Sequence, residues 1–172
     1  MNIDNDKTNY NTDTKILTNL LVLDSDHRDT TIYSKANNFI IDLDKAGQPP
    51  LRDVLGIRMY KFYMYGGSSS NLQPSSVYLQ LNDYNHIITG TPLIKSAFAN
   101  FITNPNGVTF YDSSSVLMET DSSIYTFNPV AGNIRKFKIS ILNSDGTLYD
   151  TKDFKVVMSL TVLSKRNKYS RN

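Results

Sequence analysis

The sequence predicts an all-β domain, and three observations carry that prediction. Glu119 is the only glutamate among 172 residues, whereas Asn, Asp, Ser, Thr, Tyr, Val and Ile are plentiful, so good helix formers are scarce while strand and turn residues abound. Several short segments alternate apolar and polar residues with period two. Clusters of Gly, Pro, Asn and Ser separate these segments.

In chain order, the apolar run 16–23 is the first strand expected. The next places Phe39, Ile41 and Leu43 on one face. Residues 54–65 form a third, in which Tyr60, Phe62, Tyr63, Met64 and Tyr65 put large side chains on both faces; one face would fill the core and the other would present aromatic surface or lie under the protein's own loops. Val77, Leu79 and Leu81 face one way in a fourth. Weaker strand signals lie at 108–111 and 123–127. The clearest alternation comes late: Phe137, Ile139 and Ile141 against Lys136, Lys138 and Ser140, then Phe154, Val156, Met158, Leu160 and Val162. These last two strands are expected to pair, with Asn143-Ser-Asp-Gly146 as the turn between them. Seven to nine strands suit a sandwich. Residues 45–50, 66–71, 104–107 and 112–115 read as loops, and only 91–100 carries a helix-start signal, Thr91 as cap with Pro92 at the first helical position. The division expected is an N-terminal arm at 1–15, one domain at 16–163 and a basic tail at 164–172.

The length suits a single core. Zero cysteines exclude disulfides, iron-sulfur clusters, thiolate zinc sites and a cysteine nucleophile. The polar, acidic start gives no secretory signal, and no stretch reaches the roughly 18 to 20 apolar residues of a membrane span. Residues 1–50 hold five Lys/Arg against eight Asp, and 51–172 hold thirteen against eight acids. The sharpest feature is the end, where Lys165, Arg166, Lys168 and Arg171 occur without an acid.

Chemistry-bearing residues are few. Asp24-Ser-Asp-His-Arg-Asp29 resembles the start of a calcium loop, but a calcium-binding EF-hand needs an acid or Asn at position five, Gly at six and Glu at twelve, where this chain has Arg28, Asp29 and Lys35. The expectation is therefore a strand-ending turn in which Arg28 pairs with a neighbouring carboxylate, rather than a metal site at Asp24, Asp26 and Asp29. Neither His27 nor His86 sits near a nucleophile elbow, and no phosphate-cradling glycine loop occurs. No catalytic, cofactor-binding or metal residues are assigned, and no cofactor is expected. Four cations without a basic groove or base-reading motif do not make a specific nucleic-acid partner; an acidic protein neighbour fits them as well.

Leu21-Val-Leu-Asp-Ser-Asp-His-Arg-Asp29, followed by Tyr33 and by Asn38-Phe-Ile-Ile-Asp-Leu43, resembles the minor capsid proteins of giant DNA viruses and their virophages. Members carry a hydrophobic strand, a D-S-x-x-R-D motif, a short spacer and a strand of the form F-x-I-x-L; this chain departs from the commoner form at Asp26-His27. Residues 51–65, Tyr125-Thr-Phe127, 134–142 and Asp145-Gly-Thr-Leu148 are similar to the family's later strands and its Asp-Gly turn. The resemblance covers most of 16–163. It implies an eight-stranded antiparallel jelly roll, without catalysis, acting in the virion as a penton or other minor capsid component. The partners implied are its own copies, as a homopentamer, and neighbouring major and minor capsid proteins. Beside it stands a jelly-roll carbohydrate- or receptor-binding head using exposed tyrosines, with a small hydrolase more distant.

Overall fold

Alternating segments bury one face and wet the other, and the protein is built from such strands. The computed structural model describes residues 16–65, 76–90, 92–102, 109–112, 124–150 and 154–165. Within them lie β1 (Ile16–Asp24), β2 (Asn38–Asp42), β3 (Leu51–Tyr65), β4 (Ser76–Leu81), β5 (Ile87–Ile88), β6 (Ser96–Ala97), β7 (Ala99–Ile102), β8 (Thr109–Asp112), β9 (Ile124–Ile134), β10 (Lys136–Asn143) and β11 (Lys155–Lys165). A single 3-10 turn, Ser25–His27, follows β1, and no α-helix occurs among the described residues.

The strands form two main antiparallel sheets. One runs β1-β11-β3-β8, with β9 also paired to β3, and the other runs β2-β10-β4-β7; β5 and β6 make a small separate ribbon. The inward residues of both main sheets contribute to one hydrophobic cluster, an arrangement consistent with a β-sandwich. Phe39, Val77, Leu79, Leu81, Phe137 and Ile139 of the second sheet are fully buried, as are Ile57, Phe62, Val156, Met158, Leu160 and Val162 of the first. Phe62 on β3 stacks on Phe101 of β7 with centroids 4.3 Å apart, which joins the two sheets directly. The alternation seen in the sequence at β2, β4, β10 and β11 thus corresponds to core faces, each large side chain contributing about 1.5 to 3 kcal/mol of burial.

β3 is less regular, for a physical reason. Its pairing with β11 shifts at two points: Leu163 and Ser164 face Gly56 and Val54, and Ser159 and Leu160 face Lys61 and Met59, so Leu55 and Tyr60 are extra residues. Each bulge resets the parity of the strand. Val54 is inward, then Ile57 and Met59, then Phe62 and Met64. Gly56 is needed where β9 crosses close to β3, since a Cβ there would stand 3.0 Å from Ile124 Cγ2 and 3.1 Å from the Tyr125 carbonyl oxygen.

Two expectations are corrected. β10 and β11 do not pair: β10 lies between β2 and β4, and β11 between β1 and β3, in opposite sheets. The turn at 143–146 forms, with Gly146 at φ +80° and its N–H donating to the Asn143 carbonyl, but it returns the chain only as far as Leu148, bridged to Leu142. Two amphipathic strands can lie side by side or face each other across a core, and alternation is the same in both cases.

Nor is 91–100 a helix; Thr91 lies outside the described residues, and the segment holds β6 and the start of β7. Ala99 and Phe101 are buried while Asn100 and Ile102 are exposed, and the Phe98 N–H donates to the Leu79 carbonyl. A free edge on β4 outcompetes a local cap signal. The arm at 1–15 and residues 166–172 lie outside the described residues; Ser164 and Lys165, assigned to the tail from sequence, belong to β11.

Leu79→Asp and Ile139→Asp are each expected to abolish soluble folding, because an unpaired carboxylate on a fully buried face costs about 3 to 5 kcal/mol, a large part of a domain's stability. Lys138→Asp, on the exposed face of β10 beside Ile139, should remain soluble with a melting temperature close to wild type. Soluble yield and thermal melts of the three variants check the register.

Candidate functional site

β1 ends at Asp24, where the chain must leave the first sheet to reach β2 in the second. The Asp24 carboxylate accepts the Asp26 N–H at 2.8 Å and so starts the 3-10 turn. Ser25 is fully buried, and its hydroxyl accepts the Val156 N–H at 2.9 Å, tying the turn to the start of β11. Arg28 then binds three backbone carbonyls: Nη1 to Ser25 at 2.7 Å, Nε to Tyr33 at 2.8 Å and Nη2 to Ser34 at 3.0 Å. Asp29 closes the distal part, accepting from the N–H and hydroxyl of Thr31. Asp26 pairs with Lys155 across the first sheet.

Three expectations from the sequence meet this geometry. Among the described residues Arg28 has no carboxylate partner: its planar fork serves carbonyls, which a folded turn presents in a fixed array. Asp24, Asp26 and Asp29 are each engaged separately, with an amide, an ammonium and a threonine. Among the described residues, no three His, Cys, Asp or Glu side chains gather as metal ligands. The threonine hydroxyl and amide hold the Asp29 carboxyl below its usual value of 3.8, and Thr147 does the same for Asp145 in the turn after β10. Asp26 raises Lys155 above the ordinary lysine range.

The two histidines have different surroundings. His27 is exposed at the end of the 3-10 turn. His86 packs edge-on to Phe98 at 5.6 Å and to Tyr125 at 6.1 Å, and both ring nitrogens are buried without a hydrogen-bond partner. Tyr84, Tyr125 and Phe127 complete this cluster with centroid separations of 4.9 to 5.2 Å. The sequence signal for it was the i, i+2 spacing of Tyr84 with His86 and of Tyr125 with Phe127, which puts each pair on one side of an extended chain. Along β3, Phe62 and Met64 point inward, Tyr60 and Tyr63 are half-buried, and Tyr65 is exposed.

A cleft of about 1020 Å³ opens between β1 and the chain around β2, lined by Leu17, Leu21, Leu23, Ile41, Leu43 and Pro50, with Asp24, His27, Arg52 and Asp53 also on its walls. Leu17, Leu20 and Val22 of β1 are exposed there and on the outer face of the sheet. This strand and cleft, extended and largely apolar, suit the binding of another chain. In comparisons with known proteins, the chain matches no family model and no curated protein.

Ser25→Ala should lower stability by about 1 to 3 kcal/mol, since it leaves the buried Val156 N–H without an acceptor. Arg28→Lys should cost at least as much, because one ammonium cannot span three carbonyls in that fork; urea denaturation of both variants is the measurement. The pH dependence has a definite sign. Carboxyls depressed in the folded state stabilise it above 3.8, and that contribution is lost as pH falls through their lower folded values. Melting temperature should fall on acidification below about pH 4, and the fall should be shallower in Asp29→Asn with Asp145→Asn.

Proposed function

We propose that this chain is a structural capsid protein of a large icosahedral DNA virus, a single jelly roll that assembles as a homopentamer at the fivefold vertex. The observation that carries the reading is the strand order. β1, β3, β8, β9 and β11 lie in one sheet and β2, β4, β7 and β10 in the other, so the chain changes sheet at each step between these strands except from β4 to β7 and from β8 to β9. With β8 and β9 counted as two parts of one strand and the β5–β6 ribbon as an insertion, this becomes eight strands in two interleaved sheets of four, the winding of a jelly roll. The word capsid comes from the resemblance of the Asp24–Asp29 motif and the strands after it, since a fold alone does not carry a function.

The clasp around Arg28 adds support of a different kind. Its side chains are spent on backbone carbonyls, amides and one lysine, which suits a motif kept for shape in a protein whose work is assembly. A carbohydrate- or receptor-binding head would need exposed aromatic side chains, and among the tyrosines whose burial is described Tyr65 is the exposed one. No helix among the described residues is long and apolar enough to cross a membrane. The partners in this reading are neighbouring copies and other capsid proteins, and the location is the virion.

A particle reconstruction in which this chain occupies five positions around each fivefold axis is the expected result; its absence from purified particles overturns the reading. Removing residues 1–15 or 166–172 should leave the melting transition nearly unchanged and impair incorporation into particles, measured by the copy number per particle.

A further inference from the structure

Among the described residues, the strand order leaves β1 with β11 on one side and no strand on the other. Protein edges of this kind are normally guarded by a charge, a proline, a bulge or shortness. Apart from Asp24 at its very end, β1 has none of these guards. It is nine residues long, its register with β11 runs through all nine pairs without a shift, and from Ile16 to Leu23 it contains neither a charged residue nor a proline. Its apolar side chains are also uncovered: Ile16 is 56% exposed, Leu17 38%, Leu20 61% and Val22 55%. By strand alternation Leu20 and Val22 share the face of their partners Thr161 and Ser159 and Leu17 falls on the other, and all three border the cleft.

We propose that a second copy of this chain docks on this edge, β1 against β1, antiparallel about a twofold axis through Leu20. The charges at the two ends select this occupant. Asp24 closes one end of β1, and Lys165, paired with Ile16, stands at the other. An antiparallel copy brings each Asp24 end toward the Lys165 end of its mate, whereas a parallel copy would set Asp24 beside Asp24. Centred on Leu20, Leu17 meets Leu23, Thr18 meets Val22 and Asn19 meets Leu21, so no charge lies opposite a like charge. The first sheets of the two copies become one continuous sheet, and the two clefts lie on the same face of it, on either side of the twofold axis. Nine residues a side is well below the ~20 to 30 of a standard interface, so the dissociation constant should lie in the range of roughly 10 to 100 µM. This contact is separate from any fivefold ring, whose interfaces join two different patches.

The full-length chain should convert from monomer to dimer in sedimentation velocity between about 1 and 200 µM. Leu20→Lys and Val22→Lys, both at exposed positions, should keep the wild-type melting temperature and weaken dimerisation at least about tenfold. Because the chain has no cysteine, Leu20→Cys gives a direct reading of register. Antiparallel neighbours stand about 4.5 to 5.5 Å apart, within disulfide range, so it should cross-link to itself on mild oxidation. Ile88→Cys, 89% exposed on the β5–β6 ribbon, should not. A wild-type chain that stays monomeric, a dimer indifferent to both lysine variants, or a Leu20→Cys that fails to cross-link overturns the proposal. A pentamer unaffected by Leu20→Lys, with no twofold species, also overturns it while leaving the capsid reading intact.

Discussion

The guanidinium of Arg28 holds the carbonyls of Ser25, Tyr33 and Ser34 in one plane, and the path of the chain from the first sheet into the second runs through that hold. A loop that crosses from one layer to another has no ladder to satisfy its backbone, so its polar groups need partners from side chains. Arg28 supplies three donors at once, and Ser25 passes the anchorage on to Val156 at the start of β11. β1 and β2 are thereby set in different layers at fixed separation, and β11, central in the first sheet, takes its position from the same serine. Strands β3 and β10 then pair onto β11 and β2.

Much of the fold was legible because burial leaves a period-two mark on each strand. Phe39 and Ile41, Val77 to Leu81, Phe137 to Ile141 and Val156 to Val162 all carry it and all fill the core. What alternation does not encode is the identity of the neighbour. Phe137, Ile139 and Ile141 look the same whether β11 lies beside them or across from them, and the turn at Asn143 to Gly146 is a sound local signal whose return arm is only Thr147 to Tyr149. The bulges at Leu55 and Tyr60 erased the pattern on β3, where parity changes twice in fifteen residues. Thr91-Pro92 pointed to a helix because a cap is read locally, whereas the edge of β4 that claims Phe98 to Ile102 lies far away in the sequence.

The candidate site was legible in place and not in role. The motif from Asp24 to Asp29 stood out for its charge density, and the structure does concentrate side-chain hydrogen bonds there. Sequence spacing shows which residues are near each other but not which way they turn, and here each carboxylate turns toward its own donor instead of a shared centre. The cluster around His86 was legible only in halves, as Tyr84 with His86 and Tyr125 with Phe127. Phe98 comes from the chain entering β7 and Tyr125 from β9, and only the folded chain brings these stretches together.

β3 serves two partners on its outer side, β9 along Leu51 to Arg58 and β8 along Lys61 to Met64, with the Tyr60 bulge between them. A long, even strand is vulnerable during folding, because a neighbour that zips on one residue out of step can carry the error along its whole length. Dividing the strand at a bulge breaks that propagation. A misalignment of β9 stops at Arg58 and leaves β8 free to find its own alignment, so errors on this flank stay short enough to melt and be corrected before the core closes over Phe62 and Phe101.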